Sequence, residues 1–295
     1  MSKTGSAAKV KLNSFDDLFG TEQPQTGTEQ VQEIALSELH EFKGHPFKVL
    51  DDEKMQETME SIREHGVLMP GIARPMKDGG YEIIAGHRRR HACEFVGLTT
   101  MPMFIRDYTD DEATIIMVDS NIQREDILPS EKAKAYFMKY EAVKHQGKKG
   151  KGNSLDEVGE TAGESAKTVQ RYIYLARLSD ALLDMVDKKK IGIVQGVELS
   201  FLTEQQQEWV QVVLEETGVI ISTAQASKLK EHGKSDELTL PMVRLILTES
   251  KPIERKVTIK ADKISRYFPE YYSNEQIENV IYQLLDEWNG SNSEK

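Results

Sequence analysis

The segment "LDEVGETAGESAKTVQRYIY", residues 155–174, constrains the fold more than any other stretch of this chain. Two helices that cross at close range need a residue without a side chain at the crossing, and Gly159 is placed for it. The turn between them needs a residue at ease with positive φ, and Gly163 follows four positions later. Val169, six further on, plugs the second helix into the first. Ser165 is placed to cap that second helix, whose inner face is Val169, Tyr172, Ile173 and Ala176. Lys167, Thr168, Gln170, Arg171 and Tyr174 are left outward, with Glu164 the only acid on that side. Together with Ser165 they suit base edges and phosphates at the start of a helix entering a major groove. The spacing predicts a helix-turn-helix that reads double-stranded DNA; an ordinary helical hairpin with a solvated face would share it.

Charge is compatible with that reading only because it is uneven. The 295-residue chain has a formal net charge of -11, which excludes a uniformly basic nucleic-acid coat. From Lys144 to Arg177, however, seven Lys/Arg face four Asp/Glu. A local basic face suffices for phosphate backbones. A single cysteine, Cys93, excludes an internal disulfide and a cysteine-based zinc site. No apolar run is long enough for a membrane span, and the N-terminus lacks a signal-peptide pattern. The expectation is a cytoplasmic, nucleoid-associated protein.

Residues 1–31 are rich in Gly, Thr, Gln and Ser and read as a disordered tail, in which Leu12, Phe15, Leu18 and Phe19 share one side of a short helix formed on binding. Residues 32–128 alternate short strands ("EIALSEL", "GIARPM", "GYEIIAG", "MPMFIRDY") with helices, and so predict an α+β domain. One helix carries Met55, Met59 and Ile62 and stops at Gly66; another opens on a Thr109/Glu112 capping box. Residues 129–250 are mostly α, opening at Pro129 with Ala133, Phe137 and Tyr140 and continuing past a Gly- and Lys-rich basic loop at 144–154 into the helix-turn-helix. Ser154/Glu157 and Thr203/Gln206 are further capping boxes. Residues 251–295 form a small strand-helix element: "ERKVTIK", then a helix with Ile277, Val280, Ile281, Leu284, Leu285 and Trp288 on one broad face. That face requires a partner surface, either a second copy or the chain's own helices.

In "IIAGHRRRHACEF" a strand ends in Gly86 and three arginines enter a helix. Free N–H groups at a helix start, a glycine that lets an anion approach, and Arg forks make a phosphate site. A solvated basic turn paired with acids such as Glu94 is the plain alternative. A second dense polar motif, "SNIQREDILPSEKAKAY", precedes the Pro129 helix.

The order of "SIREHGVLMPGIARP", "IIAGHRRRHACEFVGL", "NIQREDILPSEKA" and a helix-turn-helix resembles the ParB family of chromosome- and plasmid-partition proteins, over roughly residues 34–200 and closer to its mobile-element branch. The resemblance implies a ParB/sulfiredoxin-like N-terminal domain that binds CTP with Mg2+, a dimer that closes as a clamp on a palindromic centromere-like site, and a tail that engages a ParA-type ATPase through Lys9 or Lys11. Carried onto this sequence, Gly86, Arg88, Arg89 and Arg90 hold the triphosphate, and Gly66 to Pro70 line the base pocket. Asn121, Arg124 and Glu125 close the other side, with Asn121 toward the metal. The family's motif is altered at His87, where a glutamate stands, and at His91. Ser120 replaces a glutamate that helps hold magnesium, and a hydroxyl is a poorer ligand. Asp119 is adjacent but points about 100° away on a helix. His45-Pro46-Phe47 keep only the proline of an earlier box. These departures imply nucleotide binding with hydrolysis weak at most.

Two alternatives remain open on sequence. One is a transcription regulator with a degenerate ParB-like scaffold. The other is an enzyme of the sulfiredoxin or free-serine-kinase type, although Gly86 stands where a sulfiredoxin has its reactive cysteine and Cys93 lies beyond it.

Overall fold

The computed structural model describes residues 31–292, apart from 125, 147–153, 236, 250–260 and 270. The predicted tail, most of the basic loop and the strand-like "ERKVTIK" lie outside the described residues. The chain divides into two compact units, residues up to 248 and residues from 249.

The first unit opens with a five-stranded mixed sheet: β1 (Val31–Ala35), β2 (Leu39–His40), β3 (Gly71–Pro75), β4 (Tyr81–Ala85) and β5 (Thr100–Ile105), in the order β1-β5-β3-β4-β2. β1/β5 and β3/β4 are antiparallel, β3/β5 and β2/β4 parallel. The pleat sends the consecutive, fully buried Ile83 and Ile84 to opposite faces. Ile83 joins a core with α1 (Glu53–His65) and α2 (His87–Val96), through Met55, Ile62, Ala92 and Cys93. Ile84 joins another with α3 (Asp110–Asn121) and α4 (Pro129–His145), through Met117, Val118 and Tyr136. A sheet covered on both faces explains why its central strands read as apolar runs rather than alternations.

Local chemistry fixes the helix ends. The Asp52 side chain accepts from Met55 N at α1, and Thr109 with Glu112 forms the reciprocal cap at α3. On α4 the buried face matches the predicted one only in part. Ala133, Ala135, Tyr136, Lys139, Ala142 and Val143 face inward, whereas Phe137 is 43% exposed. Small alanines let α4 lie close to its neighbours, and a hydrophobicity pattern underweights them.

Beyond α4, α5 (Ser154–Glu160) and α6 (Ala166–Leu175) are joined by a tight turn. A Cβ on Gly159 would lie 2.4 Å from Glu164 O and 3.0 Å from Val169 Cγ2, and Gly163 has φ +66, so both glycines are structural requirements. Five helices follow: α7 (Asp180–Asp187), α8 (Ile193–Leu199), α9 (Glu204–Thr217), α10 (Thr223–Lys234) and α11 (Leu240–Thr248). They share one core in which Val210, Leu229 and Val243 pack with Leu175 of α6. Residues 205–248, without a role on sequence, therefore belong to the helical core that reaches α6 at Leu175.

The second unit contains α12 (Ala261–Ile264) and α13 (Asn274–Asn292). Ser273 and Gln276 cap α13 reciprocally, at 2.9 and 3.3 Å. On α13, Tyr282, Leu284, Leu285 and Trp288 are all more than half exposed. Among the described residues no helix is long and apolar enough to cross a membrane.

Candidate functional site

β4 runs into Gly86, at φ +114, and α2 begins with the next residue. A Cβ at Gly86 would sit 3.2 Å from the Gly71 Cα, so the turn lies against β3. In front of it opens a cavity of about 260 Å³. Gly86, His87, Arg88 and Arg89 line one side, and Ser120, Asn121 and Arg124 come from the end of α3 and just beyond. The loop before α1 supplies His45, Phe47, Lys48 and Val49, and Pro70, Ile72 and Ala85 complete an apolar floor. Arginines beside free helix-start N–H groups over such a floor suit a phosphorylated ligand.

The arginines differ in their partners. Arg88 Nη2 donates to Asp52 Oδ1 at 3.0 Å and holds that carboxyl below the usual carboxylate range. Arg90 turns away from the cavity, its Nη2 2.8 Å from Glu94 and its Nη1 3.9 Å from Glu41. His91 meets Asp51 at 2.9 Å. The expected triphosphate role of Arg90 is therefore corrected, because the acid four residues on, one helical turn away, has taken it. Arg89 is the exception. It donates to the carbonyls of Met69 and, at 2.9 Å, Pro70, and no carboxylate among the described residues pairs with it. Burial lowers its pKa, the mark of a cation held partly out of water.

Gly66 does not line this cavity. It borders a neighbouring one of about 410 Å³ with Val67, Leu68 and Met69, and Arg89 reaches both. Pro70 lies on the first. Glu125 lies outside the described residues.

At the end of α3, Asn121 Nδ2 donates to Met117 O at 2.9 Å and to Ser120 Oγ at 3.2 Å, while Ser120 Oγ donates to Met117 O. Asp119 is directed elsewhere. It meets the buried Lys139 at 2.5 Å, and the same Nζ donates to Thr161 Oγ1 at 3.2 Å. Gln123 Nε2 donates to Thr161 O at 2.9 Å. Thr161 lies in the turn after α5, so the motif that borders the cavity is bonded directly to the α5–α6 turn.

On α6, Lys167, Gln170 and Arg171 are exposed and Thr168 and Tyr174 half-buried. Ser165 caps the helix by accepting from Thr168 N at 3.3 Å, and Gln170 Nε2 donates to Tyr174 Oη at 3.3 Å. Glu164 is not on the outward face, being turned back onto Lys132. The outer surface of α6 therefore carries cations and hydrogen-bonding groups and no acid.

His45, Lys48, Val49 and Asp52 are site residues that the motif reading missed. They come from a loop some forty residues before the arginines, where only Pro46 carried a signal. Cys93 is fully buried and burial raises its thiol's pKa, the reverse of what a reactive thiolate needs. The sulfiredoxin-type reading loses its nucleophile.

A family model described as "ParB N-terminal domain" matches residues 20–122. The chain is 30% identical over 271 residues to a "Probable chromosome 1-partitioning protein ParB" of Deinococcus radiodurans, covering 89% of this chain and 90% of that one. It is 29% identical over 262 residues to the "Chromosome-partitioning protein Spo0J" of Thermus thermophilus, covering 88% and 93%. Among solved structures, C-terminally truncated ParB from Caulobacter crescentus complexed with CTP-gamma-S matches 68% of this chain and 98% of that one, at 25% identity and TM-score 0.31. This chain belongs to the ParB family.

Proposed function

We propose that this protein is a DNA-binding partition factor whose grip on double-stranded, centromere-like DNA is gated by CTP. The observation that carries the nucleotide half is Arg89, a largely buried cation between two cavities whose partners among the described residues are backbone carbonyls. Such a group favours an anion, and a nucleotide brings about three to four charges on its phosphates. The Gly86 turn and the N–H groups that follow it receive the phosphates, Arg88 and Arg124 flank them, and the Gly66–Met69 cavity takes the base.

Magnesium fits the chain's own donors poorly. Asp119 is committed to Lys139, Ser120 offers a hydroxyl, and Asn121 alone supplies an amide oxygen. Among the described residues no cluster of three His, Cys, Asp or Glu side chains could hold a metal ion. An ion would arrive on the nucleotide, with Asn121 offering the one protein amide oxygen among the described residues. Among the described residues no free carboxylate stands there to orient a water, so on this reading occupancy rather than turnover gates the protein.

The DNA half rests on the acid-free face of Lys167, Thr168, Gln170, Arg171 and Tyr174, with Ser165 at the helix start, which makes α5–turn–α6 the reading element. Gln123, Lys139 and Thr161 tie that element to the nucleotide motif, so ligand-driven movement of Asn121 or Arg124 reaches α6 through bonded groups. The exposed face of α13 supplies dimerisation, and the tail engages a ParA-type ATPase, whose stimulation deletion of residues 1–25 should abolish. Both relatives named above are partition proteins, and nothing favours the transcription-regulator alternative.

Calorimetry of CTP binding to wild type, Arg89→Ala and Arg88→Ala tests the reading. Charge-assisted contacts are worth about 1.5 to 3 kcal/mol, so each variant should lose at least about tenfold in affinity. Site-specific DNA binding should persist in both. No CTP binding by the wild type, with or without DNA, would leave a DNA-binding scaffold.

A further inference from the structure

Two of this chain's departures from the family motif touch each other inside the cavity wall. The rings of His45 and His87 are in contact, with centroids 3.9 Å apart and planes tilted by 37°. Both rings line the cavity, yet the Nε2 atom of each is buried without a hydrogen-bond partner. The tautomer of His45 is set by its neighbour. Its Nδ1 lies 2.8 Å from Phe47 O, a carbonyl can only accept, and so Nδ1 carries the proton and Nε2 presents a bare lone pair. A buried acceptor without a donor costs stability. That lone pair is a free site at which the pair can take up a proton.

We infer that His45 and His87 act as a single proton-accepting pair that makes occupancy of the phosphate cavity proton-linked. The inference rests on the anion site proposed above and adds its regulation. Without ligand, burial disfavours the charged form of both imidazoles: His87 is lowered to about 3, chiefly by burial and then by His45 and Arg90, and His45 is lowered by burial and Arg124. Glu41 and Glu131 act in the other direction on His45, but Arg90 also lies near Glu41, and Glu131 already accepts from Lys48 N and Leu128 N. Lys48, Arg88 and Arg89 add positive charge around the cavity. A polyanion entering it neutralises this field and favours the charged form of the pair, so binding and protonation reinforce each other. The direction follows from the same linkage: affinity rises as pH falls.

The test is calorimetry of the full-length protein with inorganic triphosphate and, separately, CTP, at one pH in buffers of different ionisation enthalpy. Wild type should take up as much as about one proton more than His45→Gln or His87→Gln, since the ligand's own protonation cancels in the comparison. The ratio of wild-type to variant affinity should climb, by up to about tenfold per pH unit, as pH is lowered from 8 to 6. In case a variant misfolds, the imidazole C–H resonances of the wild type give a second reading, with a histidine titrating at higher pH when triphosphate is present. Binding with equal proton counts and unshifted histidines overturns the pair's role alone. Absence of binding by the wild type overturns the anion site itself, and the pair's role with it.

Discussion

Asp52 bonds in two directions, accepting from Met55 N at 2.8 Å to start α1 and from Arg88 Nη2 at 3.0 Å beside the phosphate cavity. The cap and the counterion are thus one carboxylate, and a phosphate that recruits Arg88 competes with it. Asp52→Asn separates the two roles, because asparagine caps as well as aspartate but carries no charge. CTP affinity measured by calorimetry should rise several-fold in this variant, with α1 intact by hydrogen exchange. The acid limb should change as well. The folded pKa of Asp52 is depressed, so its contribution to stability is present above the unfolded value of about 3.9 and fades as pH falls through the folded value. The variant should lack that stabilising contribution near neutrality, and its difference from wild type should shrink away as pH falls below about 4.

Lys139 and Asp119 form an ion pair with side chains only 4% and 15% exposed, joining α3 to α4 and, through Thr161, to the α5–α6 turn. Removing one partner strands a charge in a dry place. Lys139→Met should therefore cost about 3 to 5 kcal/mol by chemical denaturation. Lys139→Met with Asp119→Leu should recover most of that loss. If the double variant keeps its stability but DNA binding no longer responds to CTP, the buried pair carries the coupling.

The sheet and its helices were legible because their signals are local. Ile83 and Ile84, Thr109 with Glu112, and Gly159 with Gly163 each state a backbone requirement within a few residues. Half of the cavity was legible on the same terms, since Gly86 to Arg89 and Ser120 to Arg124 are contiguous. The opposite wall was not. His45, Lys48 and Asp52 reach the arginines only through the tertiary fold, and no periodicity marks them. Arg90 was misjudged although its signal was present, since Glu94 stands four residues on and an i,i+4 pair satisfies both. On α4, Ala133 was read correctly but Phe137 drew attention that belonged to Ala135 and Tyr136, because close helix packing rewards small size as well as hydrophobicity.

The outward face of α6 makes separable predictions for specificity and affinity. Gln170→Ala should relax preference at one or two base pairs and cost roughly 1 to 3 kcal/mol at the preferred site, with little change on random DNA. Arg171→Ala should weaken binding to all sequences and shrink the salt dependence by about one counterion. Fluorescence anisotropy across a salt series, on a selected site and on scrambled DNA, distinguishes the two. Unchanged specificity and salt slope in both variants would remove α6 as the reading helix.

The last expectation concerns α13, where Ile277, Ile281, Leu284 and Trp288 recur at intervals of four, three and four, the spacing of a helical seam. Leu284 is 58% and Trp288 65% exposed, and Tyr282 and Leu285 broaden the apolar surface. Such a stripe left in water is costly, and a second copy of the same helix would cover it on both sides. Joining two reading helices also raises affinity for a palindromic site, since the second half-site is met at high effective concentration. Sedimentation velocity should show a wild-type dimer and a monomer for the paired substitution Leu284→Asp with Trp288→Ala. A chain ending at Lys251 should likewise be monomeric and bind palindromic DNA far more weakly, while its affinity for a single half-site stays near that of the full chain. A truncated chain that dimerises as tightly as the full one would place the dimer contact elsewhere and leave the α13 stripe to be covered within the chain.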